Sequence, residues 1–272
     1  GYLGYEEFPV RAQIFDTLIR YDHDVQPHPR LAESWELSED GLTLTIKLRQ
    51  GVKFHNGREL VADDIIQNLA FAQNEETCYH MCQGTAKIES AEALDDYTVV
   101  FHYSEFDAGW QDFIEDWYII APEAFDTLQN SPIGTGPFKF QEYVPDDHTI
   151  FVKNEDYWGS EGPYLDEIYI RSFGTDEEAL VAALESGEID LTHQTPTKDV
   201  QRLTREGFVI YDGQPGAFVD VIYASSLGIP DTKVRQAIMH AIDWEALMNG
   251  VYYGTGELGA RMRYPPPSWA FF

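Results

Sequence analysis

The chain has 272 residues, 43% of them hydrophobic and 14% aromatic, which is room for one large domain or two ordinary ones and excludes wholesale disorder. Its 47 acidic side chains outweigh 18 basic ones for a formal net charge of −29, a field that repels nucleic acid and anionic membrane. No run of about 18 apolar residues occurs, so no segment reads as a membrane span.

The opening, "GYLGYEEFPV", shows no basic region followed by an apolar stretch and no initiating Met, so no signal peptide is visible. In "LTLTIKLRQGVKFHNGRELVADDI" (42–65), Leu44, Ile46 and Leu48 alternate with Thr45, Lys47 and Arg49. That period of two predicts a strand with one apolar face. Gly51 allows a change of direction, Val52 and Phe54 resume the alternation, and Asn56-Gly57 suits a turn with positive φ. Asp63 and Asp64 favour a helix start, with Ile65, Leu69 and Ala72 as its buried stripe. Arg49, His55 and Asp63 are expected to orient strand, turn and helix.

Cys78 and Cys82 are the only cysteines, in "CYHMC". With His80 they suggest metal chemistry, but zinc normally takes four ligands and no second cluster appears. Two ordinary thiols, or a local disulfide if the protein is exported, is the plainer reading. "YTVVFHY" (97–103) alternates as a strand. Trp110, Phe113, Ile114 and Trp117 predict an amphipathic helix, and "TIFVKN" and "LDEIYIRSF" predict further strands.

Thr175 and Glu178 form a capping-box pattern before a helix that Gly187 would stop. Short strands are expected at "EIDLT", "GFVIYD" and "AFVDVIYA", with a helix from about Thr197. Asp231 begins a helix carrying Val234, Ile238 and Ile242, and Asp243 can cap the next. The alternation predicts α/β or α+β layers, and its strand-helix-strand units predict parallel neighbours.

Catalytic motifs are missing. "GTGELG" (254–259) matches a dinucleotide loop by letter but follows a helix and precedes a proline-rich stretch, the reverse of the required context. There is no G-x-S-x-G, P-loop or H-E-x-x-H, and no nucleophile beside a base. The chain reads as a non-enzyme without a cofactor.

"PRLAESWELSEDGLTLTIKLRQGVKFHNGRELVADDI" (29–65) closely resembles the signature region of the family 5 extracytoplasmic solute-binding proteins, the dipeptide-, oligopeptide- and nickel-binding receptors of ABC importers. The resemblance continues in "SPIGTGPFKFQEYV" (131–144), "VKNEDYWG" (152–159), "ALVAALESGEIDL" (179–191), "DTKVRQAIMHAIDWEALMNGVYYGTG" (231–256) and "PPPSW" (265–269). It implies an α/β, periplasmic-binding-protein-like (type II) two-lobed clamp. Residues 1–45 and 140–255 would form lobe I, 46–139 an inserted small domain, and 256–272 the start of lobe II. The chain is then expected to be a fragment, roughly the first half of a receptor, with the second lobe mostly absent.

By the same resemblance Tyr2, Leu3, Gly4 and Tyr5 would pair as an edge strand with peptide backbone. Tyr79 would be a pocket tyrosine, and Gln214, Pro215, Gly216, Ala217 and Phe218 a loop approaching the ligand. The implied partners are a peptide or other small solute and ABC permease subunits, with no nucleic acid and no membrane span in this chain. The complete receptor is expected to be a monomer, exported to the periplasm or the outer face of the cytoplasmic membrane. Two alternatives stay open: a ligand-sensing domain of the same fold in a regulator, and a metal or metallophore carrier using Cys78, His80 and Cys82.

Overall fold

The computed structural model describes residues 8–22, 24–74, 76–77, 81–160, 162–193, 195–211 and 228–254. It divides into two compact units, Gly1–Asp22 with Gln26–Gly174, and His23–Val25 with Thr175–Phe272. Mixed α/β structure fills the first, and helices are the regular elements described in the second.

The first unit begins with helix α1 (Phe8–Ile14) and a small pair of strands, β1 (Ile19–Tyr21) and β2 (Pro27–Pro29). Strands β3 (Ala32–Leu37), β4 (Thr43–Leu48), β5 (Ile88–Asp95) and β6 (Thr98–Tyr103) form a sheet in the order β3-β4-β6-β5. As its alternation predicts, β4 buries Leu44, Ile46 and Leu48. Leu44 pairs with Phe101 and Ile46 with Val99, so the apolar faces of two strands coincide. Helix α2 (Ala62–Gln73) lays Ile65, Leu69 and Ala72 into the same core, the stripe expected of it. Past the short helix α3 (Met81–Thr85), α4 (Trp110–Asp116) adds Phe113 and Ile114, and Trp117 at its end stacks on Phe113 with ring centroids 4.9 Å apart. A 3₁₀ helix at Pro122–Thr127 follows.

A second core lies under the three-stranded sheet β7 (Phe138–Val144), β8 (His148–Lys153) and β9 (Glu167–Arg171), where Phe138 and Phe151 pack with Ile14 and Phe15. Among the described residues every strand pair is antiparallel, which corrects the expectation of parallel neighbours. The reason is local: β3 and β4, β5 and β6, and β7 and β8 are hairpin partners joined by short turns, and an antiparallel pair needs no crossover.

The second unit carries α5 (Glu177–Ser186), α6 (Thr197–Glu206), α7 (Thr232–Ala241) and α8 (Trp244–Val251). Asp176 caps α5 by accepting from the Ala179 N–H at 3.0 Å, one residue later than the Thr175 read from sequence. Gly187 and Gly207 end α5 and α6 in left-handed conformation, and Asp231 and Asp243 cap α7 and α8 as expected. "EIDLT" and the described part of "GFVIYD" are not strands, and "AFVDVIYA" lies outside the described residues. Val234 and Ile238, carried on α7 as expected, are 47% and 39% exposed.

Candidate functional site

The site residues expected from sequence are Tyr2, Leu3, Gly4, Tyr5, Tyr79, Gln214, Pro215, Gly216, Ala217 and Phe218. All lie outside the described residues. What it describes is the scaffold on which such segments would hang.

The first part of that scaffold is a buried carboxylate two residues past α1. Asp16 accepts hydrogen bonds from Arg30 Nη2 at 2.5 Å, Trp158 Nε1 at 3.0 Å and Thr135 Oγ1 at 3.2 Å. Burial pushes the Asp16 carboxyl up, while the Arg30 charge and these three donors pull it back. Arg30 also donates to the Tyr157 hydroxyl at 2.9 Å. Burial would lower the Arg30 guanidinium, but Asp16 and Tyr157 outweigh it and hold the group above its ordinary value. Both Arg30 and Arg49 lie against the Trp158 ring, 5.1 and 5.0 Å from its centroid, and Arg49 Nε donates to the Arg30 carbonyl. The cluster clasps five chain segments, around residues 16, 30, 49, 135 and 157–158. With its acceptor positions engaged by three donors, Asp16 is built to position backbone, not to take a proton from a substrate.

The second part joins the turn after β4 to the Gly134-Thr135-Gly136 stretch. His55 donates its backbone N–H to the Gly134 carbonyl at 2.9 Å. Its ring bridges the same stretch, with Nε2 3.0 Å from the Gly136 carbonyl oxygen and Nδ1 accepting from the Gly134 N–H at 3.4 Å. Gly136 N–H bonds the Ile14 carbonyl at 2.8 Å. The glycine stretch packs closely against Gln13, Ile14, Phe15 and His55, and the Gly136 carbonyl also accepts from Asn154 Nδ2 at 3.0 Å. Gly134 and Gly136 are required by that close backbone approach.

Arg58 forms the third part, in the turn that Asn56-Gly57 makes with Gly57 at φ 88°. Its guanidinium reaches Asp64 at 2.9 Å and Glu123 at 2.8 Å, and Arg58 in turn holds the Glu123 carboxyl down to about 2. Asp64 also accepts from the Val61 N–H at 2.9 Å, half of a capping box whose other half a valine cannot supply. The orienting acid at this helix is therefore Asp64, buried, whereas Asp63 is exposed and bonds Gln67.

A cavity of about 310 Å³ lies beside α3 and α4, lined by Met81, Gly84, Asp107, Gly109, Asp112, Phe113 and Asp116. Tyr21 donates to Asp112 at 2.9 Å. Cys82, on α3, is disulfide-bonded and so offers no metal thiolate; Cys78 and His80 lie outside the described residues. Sequence reasoning assigned no role to Asp16, Arg30 or Trp158, and placed Asp64 at the helix start without its pairing to Arg58. The one available signal was the Arg and Trp content of the motifs at 29–65 and 152–159, which marks cation–aromatic contacts without saying which residues meet.

Residues 26–272 match the family described as Bacterial extracellular solute-binding proteins, family 5 Middle. Heme-binding protein A of Haemophilus influenzae is 30% identical over 290 residues, covering 95% of this chain and 52% of that protein. The dipeptide-binding protein of Escherichia coli is 30% identical over 273 residues, covering 89% and 50%. Among solved structures, the ABC transporter-associated periplasmic binding protein DppA from Helicobacter pylori in complex with peptide STSA superposes with a TM-score of 0.79 at 27% identity. That match covers 98% of this chain and 58% of the other. The chain thus spans about half the length of the curated relatives it matches.

Proposed function

The chain belongs to the bacterial extracellular solute-binding proteins of family 5, and from that premise we propose that it serves as the solute receptor of an ABC importer, with a short peptide as its solute. The observation that carries the choice of solute is the dipeptide-binding relative matched over most of this chain. No helix among the described residues is long and apolar enough to cross a membrane, which suits a receptor working in the periplasm or at the outer face of the cytoplasmic membrane, beside permease subunits, as a monomer.

In this reading the peptide lies along Tyr2–Tyr5, meets Tyr79, and is approached by Gln214–Phe218. An extended edge suits any peptide because it reads the backbone that all peptides share. Residues 1–45 and 140–255 make the first lobe, 46–139 an inserted domain, and 256–272 begin a second lobe. The proposed boundary at 45/46 falls within β4, which pairs with β3 on one side and with β6 on the other, so one sheet runs across it. The Asp16 clasp then serves the site indirectly, by fixing the chain just beyond the proposed edge.

The heme-binding relative favours a second reading, in which the solute is not a peptide. Thermal shift and titration calorimetry on the purified protein, with dipeptides, longer peptides and heme, separate the two. A ligand present at 100 times its Kd adds roughly 2.7 kcal/mol to stability, a shift easily measured. Peptides are expected to raise the melting temperature and give saturable heats. A response to heme alone would replace the peptide by the second reading.

A further inference from the structure

The contacts of His55 fix its protonation state. The Gly136 carbonyl can only accept, so Nε2 must carry the ring hydrogen. The Gly134 N–H can only donate, so Nδ1 must be bare. The turn and the glycine stretch therefore require the neutral ring in one tautomer. An added proton at Nδ1 would point at another N–H, and the bond would become a repulsion.

We infer that His55 is an acid-sensitive latch: its neutral ring holds the Gly134–Gly136 stretch to the turn after β4, and proton uptake at Nδ1 releases it. The stretch in turn bonds Ile14 through Gly136 and Asp16 through Thr135, so release loosens the segment after α1. The charges around the ring favour the neutral form. Lys139 on β7 opposes protonation, and in the ring's own turn Arg58 is already engaged by Asp64 and Glu123. Asp16 is the nearby acid on the glycine side, and it is turned to Arg30, Trp158 and Thr135. Burial is the largest influence and, with Lys139, pushes the imidazole down to about 4 against the pull of the Gly136 carbonyl.

A group with a depressed native value stabilises the fold fully above its unfolded value, near 6.5, and loses that contribution as pH falls toward the native value. The window is therefore pH 6.5 down to about 4. The device stands apart from the choice of solute, since it concerns folding of the unit that holds 26–174.

Two measurements on the full-length protein test it. Long-range ¹H–¹⁵N spectra should show His55 as the Nε2–H tautomer, titrating below pH 5. Chemical denaturation of the native protein and of His55→Gln, from pH 8 to 4.5, should show the native folding constant falling relative to the variant, by on the order of a hundredfold. Glutamine keeps a donor for Gly136 and does not titrate. Parallel pH profiles for the two proteins, or a His55 that titrates at 6.5 or above, would overturn the latch. If His55→Gln does not fold, the ring titration in the native protein decides alone.

Discussion

At the scale of single residues, the fold depends on groups whose importance is set by what approaches them. A Cβ added at Gly134 would lie 2.2 Å from the Ile14 carbonyl oxygen and 2.5 Å from the Phe15 ring, while Gly228 has nothing within 4 Å. Backbone cannot swing aside as a flexible side chain can, so the first clash must displace one segment from the other. Gly134→Ala is expected to destabilise by about 2–3 kcal/mol, as overpacking does, and Gly228→Ala to leave stability nearly unchanged. Urea denaturation of the two variants is the check, and equal costs would refute the close-approach account. Asp16 belongs to the same scale: it is a charge tolerated at 4% exposure because three donors converge on it.

At the scale of elements, α2 shows how a helix start can be held by a group outside the usual capping position. Val61 cannot cap with its side chain, and Asp64 supplies the acceptor for the Val61 N–H while pairing with Arg58. Removing Asp64 leaves the Val61 N–H without its acceptor, at a helix end already short of acceptors, and takes from Arg58 one of its two carboxylate partners, with Glu123 remaining. Asp64→Ala is expected to cost about 2 kcal/mol, measured as a lowered denaturation midpoint, whereas Asp63→Ala should leave the midpoint where it is. The reverse order would mean that simple dipole placement, not the Asp64 network, holds this helix. The fork at Arg58 also explains why basic residues gather in this passage of an acidic chain: each of Arg49 and Arg58 joins segments that are distant in sequence.

At the scale of the whole molecule, 47 acidic and 18 basic side chains make self-repulsion a general term. The screening length is about 10 Å at 0.1 M salt and about 3 Å at 1 M, so added salt should relieve that repulsion more than it weakens the scattered surface ion pairs. Melting temperature is expected to rise by roughly 5 °C between 0.05 and 1 M sodium chloride, an effect of 1–2 kcal/mol for a chain of this size. A flat or falling profile would show that the acidic side chains are too far apart or too well paired to repel.

The sequence by itself determined the elements whose signal is local. Alternation in 43–48 marked β4, the 65/69/72 stripe marked the buried face of α2, and Gly187, Asp231 and Asp243 marked helix ends. Motif order along 29–269 also pointed to the family that residues 26–272 match. Only the tertiary structure decided strand direction, because hairpins and crossovers share the same residue periodicity. It alone chose Asp64 over Asp63, and it alone joined Asp16 to Arg30, Thr135 and Trp158, groups separated by up to 142 positions. A hydrogen bond across such a separation leaves no pattern along the chain; it exists because folding brings those atoms to between 2.5 and 3.2 Å and withdraws the water that would otherwise satisfy them.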